Sequence, residues 1–157
     1  MPQTETKFSS FAEIEAFVQK LQLSGYVACG KWNLAQICEH LSDWMNYPMV
    51  GFPKSGPMVA ALLFCVRCLA GRKLYRDVVS KQRMKPGQPT LPQSVYPNTL
   101  DESRSVERLI ATMQALQNYR GNLIPSPLFG KLTHSEYVSL HIAHCAHHLS
   151  FLKSNES

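Results

Sequence analysis

Nowhere does the 157-residue chain carry an apolar run long enough to cross a bilayer. The longest, Pro57 to Ala70, is interrupted by Arg67 and falls short of the ~20 residues a spanning helix needs, so it reads as a buried helix. The opening residues, Met-Pro-Gln-Thr-Glu-Thr-Lys-Phe, lack the charged-then-apolar pattern and small-residue cleavage site of an export signal, and the expected location is cytoplasmic. Cysteine is sparse: five residues at 29, 38, 65, 68 and 145 form an odd, scattered set that speaks against a disulfide framework and for reduced, mostly buried thiols. Nor does any stretch alternate apolar and polar residues as a strand would.

What remains is an ordinary globular composition, 45% hydrophobic and 17% charged, which excludes a disordered chain and suits one domain over residues 1–157. Acidic residues are outnumbered 11 to 16, for a net charge of +5. The excess is concentrated in Arg67, Arg72, Lys73, Arg76, Lys81, Arg83 and Lys85, which share their segment with Asp77 alone. Such a patch could hold a phosphate, an anionic substrate or an acidic partner, but a solvated basic surface is the expected reading. No aromatic-interleaved stacking motif or reading helix accompanies it, so nucleic acid is not the expected partner.

Helical punctuation is plain along the chain. Ser10-Phe11-Ala12-Glu13 forms a capping box ahead of Ile14, Phe17, Val18 and Leu21, and Ser24-Gly25 ends that helix. Asn33, with Gln36 three residues on, opens a second helix bearing Leu34, Ile37, Cys38, Leu41, Trp44 and Met45, expected to stop near Pro48. Pro57 suits the first position of a third, running to about Tyr75. From Arg76 to Asn98 four prolines and a glycine exclude regular structure, and the segment is either a lid over one end of the bundle or a passive connection. A fourth helix spans about Asp101 to Tyr119. Thr133-His134-Ser135-Glu136 caps a fifth that runs to about Leu152. Five helical segments without repeats predict an all-α fold, an up-and-down four-helix bundle with an additional short or connecting helix packed across it.

Five of the six histidines fall between 134 and 148. On a helix, His141, His144 and His148 fall within an arc of roughly 60°, flanked by Tyr137, Leu140, Phe151 and Leu152, while His147 sits toward its edge. Imidazoles facing a core each need a hydrogen-bond partner or a metal. The i, i+4 pair His144 and His148 can present two ring nitrogens to one ion. A third ligand must come from elsewhere, and only His40 lies outside the cluster; alone on the edge of its helix, it reads equally as a hydrogen-bonded or surface residue. Cys65-Val66-Arg67-Cys68 has a redox or metal spacing but lies mid-helix among leucines, where core packing is the expected role.

Taken together, Gly30-Lys31-Trp32-Asn33-Leu34-Ala35-Gln36-Ile37-Cys38-Glu39-His40-Leu41, Gly51-Phe52-Pro53, Leu128-Phe129-Gly130-Lys131-Leu132-Thr133 and His141 to Leu152 resemble, across nearly the whole chain, the DinB-like superfamily of bacterial metal-binding four-helix bundles. The likeness is closer to a branch of undefined function. The resemblance implies a divalent metal, zinc or nickel, held by His40, His144 and His148, with His141 as rival ligand, group orienting the metal-bound species, or proton carrier. It also implies a possible metal-dependent transferase using a low-molecular-weight thiol, or a related hydrolase or isomerase, and a possible homodimer. One departure stands out: the Arg-Gly-Gln that commonly follows the second ligand histidine in the superfamily is replaced by Leu149-Ser150-Phe151. A ligand- or partner-binding bundle without catalysis, stress-associated and with its metal structural or absent, is the alternative.

Overall fold

The computed structural model describes residues 6–84 and 92–155. Five α-helices appear, α1 Phe11–Ser24, α2 Leu34–Val50, α3 Pro57–Lys81, α4 Glu102–Asn118 and α5 His134–Leu149, as the all-α expectation requires. Four start on the side chains that the sequence marks. Ser10, Asn33, Asp101 and Thr133 each accept a bond from the backbone N–H three residues on, quenching a donor that helix geometry leaves orphaned. The boxes at Asn33/Gln36 and Thr133/Glu136 are reciprocal. At α1 the return bond is displaced by one residue, since the Glu13 carboxylate accepts from the Ser9 N–H.

The core joins α1, α2, α4 and α5 around Ile14, Leu21, Leu34, Leu41, Leu109, Met113 and Leu149, with no residue of α3. The helix outside the four is therefore the longest, at 25 residues, rather than a short connector. Its C-terminal half docks on α5 through a second cluster of Tyr75, Leu132, Tyr137 and Leu140. Gly71 permits this approach: a Cβ there would stand 3.0 Å from the Leu128 carbonyl oxygen. Arg72 pairs with Glu136, and the Met84 N–H donates to His147 Nδ1, so α3 and α5 run in the same direction. The same holds for α2 and α4, tied by Arg108 to Glu39 at one level and by the Tyr119 hydroxyl to the Met49 carbonyl a few turns on.

Several expectations are corrected. Pro57–Ala70 is not buried: the first half of α3 is largely exposed, because α5 begins only beside Arg72 and none of the described residues covers the overhang. Cys65 and Cys68, read as core residues, are exposed; Cys38 and Cys145 are buried. Helix α2 continues through Pro48 to Val50, because a proline in the last turn forfeits a single hydrogen bond, and the Pro48 carbonyl is taken up by the Ile124 N–H. Helix α3 runs past Tyr75 to Lys81, so the irregular segment begins six residues later than predicted. Of that segment, Lys85, Pro86, Gly87 and Pro89 lie outside the described residues.

Two short strands were not foreseen. Tyr26–Ala28 (β1) and Leu152–Ser154 (β2) pair antiparallel, joining the turn after α1 to the tail of α5. Gly25, at φ +73°, makes the turn that leads from α1 into β1. Among the described residues no helix is long and apolar enough to cross a membrane.

Candidate metal centre

Three histidines meet between α2 and α5. One ring nitrogen from each of His40, His144 and His148 can be chosen so that all three lie within 4.8 Å of one another. The last two are one helical turn apart, and their Nε2 atoms face each other at 3.0 Å. His40 reaches them because Leu34, Ile37 and Leu41 on the same side of α2 are locked into the core, which turns position 40 inward. It is buried rather than at an edge.

The environment prepares these rings as ligands. The His40 Nδ1–H donates to the Ser94 carbonyl oxygen at 3.1 Å, because a carbonyl can only accept; the proton is thereby held on Nδ1 and the lone pair left on Nε2. Both tryptophans of the chain flank the cluster. Trp32 stacks on His148 at 5.6 Å between centroids, and Trp44 lies 6.2 Å from His40 and 6.0 Å edge-on to His144. Burial lowers the His40 pKa to about 4, against the smaller opposing pull of the Ser94 bond. Burial, reinforced by the neighbouring imidazoles, holds His144 and His148 well below the ordinary histidine value. At neutral pH all three are therefore uncharged, the form that donates a lone pair to a metal.

A divalent ion fits this donor set. With metal–nitrogen bonds of ~2.0–2.1 Å, neighbouring ligand atoms stand roughly 2.9–3.4 Å apart, and the 3.0 Å between the Nε2 atoms of His144 and His148 falls in that range. Three imidazoles leave coordination positions open, as catalytic rather than structural sites do.

The segment after the undescribed stretch braces the site. The Gln36 side chain, half of the α2 capping box, donates to the Tyr96 carbonyl at 2.6 Å, and the Asn33 side chain donates to Asn98. The Tyr96 hydroxyl donates to Asp43, which with Glu39 also receives Arg108 from α4. Ser94 is thus pressed against His40 from several anchors. Sequence reasoning missed Ser94 and could not have found it, since it acts through a backbone carbonyl that any residue would supply.

The other histidines separate cleanly. His134 Nε2 donates to the Leu116 carbonyl at the end of α4, and His147 Nδ1 accepts from Met84; both are structural contacts. His141 stacks on Tyr137 and stands 6.5 Å from His144 between ring centroids. It is buried, with no hydrogen-bond partner on either nitrogen among the described residues, and burial pushes its pKa down to about 3. Trp44 Nε1, also beside His144, is a second buried donor without a partner among the described residues. Of the basic segment, Arg72 is paired with Glu136, Lys81 lies 4.0 Å from Asp77, and Arg67 covers Phe64.

A family model described as a protein of unknown function (DUF1569) matches residues 2–155. No curated protein and no solved structure matches the chain.

Proposed function

Given that the chain belongs to the DUF1569 family of proteins of unknown function, we propose that it is a single-domain, DinB-like metal-binding bundle whose His40, His144 and His148 hold one divalent ion, zinc or nickel. Its proposed activity is a metal-dependent transfer that uses a low-molecular-weight thiol, carried out in the reducing cytoplasm where its five cysteines stay free. The observation that carries the reading is the facing Nε2 pair at 3.0 Å, joined by a third imidazole whose tautomer is fixed by Ser94. When bound, the ion lowers the pKa of a coordinated thiol or water and supplies a nucleophile near neutral pH. Trp32 and Trp44 keep water from the flanks of the site, and His141, with its pKa near 3, stays neutral there. That favours hydrogen bonding to a bound ligand over proton carriage as the role of His141.

One observation supports a second reading, a bundle that binds a ligand or partner without turning it over. The three residues standing where the wider superfamily commonly carries Arg-Gly-Gln are consumed by structure. Leu149 is core, the Ser150 hydroxyl donates to the His147 carbonyl, and Phe151 packs on His147 and Gly30.

Elemental analysis of untagged protein purified without added metal, beside a His40→Ala, His144→Ala, His148→Ala variant, tests the proposal. About one equivalent in the parent and none in the variant is the expected result, and would justify screening small thiols as cosubstrates. Negligible metal in both would reject the metal centre and transfer the weight to the binding module.

A further inference from the structure

The first half of α3 is apolar on all sides and covered on almost none. Met58 is 84% exposed, Val59 52%, Leu62 64%, Phe64 55% and Leu69 88%. A helix that is hydrophobic all round is normally buried. The exposure has a geometric cause. Helix α5, the neighbour that receives the second half of α3, begins beside Arg72, so residues 57–70 project beyond it for about 21 Å at 1.5 Å per residue. Arg67 turns back over the Phe64 ring at 5.0 Å and along Gly130, which anchors the base of the overhang without covering its faces.

We infer that this overhang is the interface of a homodimer, in which α3 of one protomer packs against α3 of a second copy about a two-fold axis. Area and charge both select this occupant. A fully exposed large apolar side chain presents roughly 150–200 Å². Met58, Val59, Leu62 and Leu69 share one side of the helix, within about 100° of arc, and at the exposures above they offer about 430–580 Å² per protomer; a two-fold pairing then buries about 900–1,200 Å² in total, near the ~1,000 Å² that a specific interface needs. A two-fold interface sets one patch against its own copy, so a patch carrying charge of one sign repels itself. Residues 57–66 carry no charge at all in a chain of net charge +5. Such an interface also encloses Cys65 and Cys68, the two exposed thiols.

The test is light scattering on the size-separated full chain, with alkylation of native Cys65 and Cys68 followed by mass spectrometry. Wild type at about 10 μM should elute at twice the protomer mass of 17.7 kDa. Leu62→Glu with Leu69→Glu should run at the protomer mass, with unchanged helicity and metal content, since neither residue contributes to the core. Should that pair lose helicity, Met58→Glu carries the same expectation. In the wild-type dimer Cys65 and Cys68 should alkylate at least ~10-fold more slowly than in the monomeric variant. A wild-type monomer at about 100 μM would overturn the inference and leave the face to a partner of another kind. So would a dimer that survives the glutamates, or one whose Cys65 and Cys68 react as fast as in the variant.

Discussion

His141 is the side chain whose replacement should make the protein more stable. It is 4% exposed, and neither ring nitrogen has a hydrogen-bond partner among the described residues. A buried polar group without a partner costs roughly 1–3 kcal/mol, and leucine fills a similar volume without that cost. His141→Leu should therefore stabilise the metal-free protein by about 1–3 kcal/mol at pH ~7.5, where histidine is neutral folded and unfolded. Lowering the pH should widen the gap. Folded His141 titrates near 3 and the unfolded side chain near 6.5, so between those values the unfolded chain binds the extra proton, and wild-type stability is lost as pH falls through 6.5. At pH ~5 the difference amounts to one and a half pH units, or about 2 kcal/mol more in favour of the variant. Urea unfolding in a chelator at both pH values measures it. A variant less stable than wild type at pH 7.5, or a gap that does not grow at pH 5, would refute the reasoning and show that the His141 nitrogens are satisfied in the folded state. If His141 orients a ligand as proposed, the same substitution removes function while raising stability.

Two other outcomes are expected. Because the folded His40 pKa is about 4, protons compete for its lone pair only well below the ordinary imidazole range; protein dialysed at pH ~5.5 should keep more than half of its metal, and half-loss near pH 6.5 would contradict the burial argument. Arg108→Met strands the carboxylates of Glu39 and Asp43, whose side chains are 14% and 13% exposed, while Arg108 itself is 39% exposed; the loss, reduced by that exposure, should be about 1–2 kcal/mol in denaturant unfolding. Metal affinity should fall by ~10-fold as well, since Asp43 holds Tyr96 and through it the segment that places Ser94 on His40.

The features that the sequence determines by itself are those governed by neighbours a few residues away. Ser10, Asn33, Asp101 and Thr133 start helices because a side-chain oxygen reaches a backbone N–H three residues on, whatever surrounds it. His144 and His148 face each other because i and i+4 share a helix face. Tertiary structure decided the rest. Nothing local buries His40 or sets the Ser94 carbonyl against it; that takes the docking of α2 on α5 and the ties from Gln36 and Asp43 to Tyr96. The strands are three residues each, too short to show alternation, and exist because the ends of α1 and α5 come together. Apolar composition marks Pro57–Ala70 for burial, yet where α5 begins decides that the protomer leaves it uncovered. Hydrophobicity states that a surface is to be removed from water, and only the arrangement of the other helices says what is left to cover it.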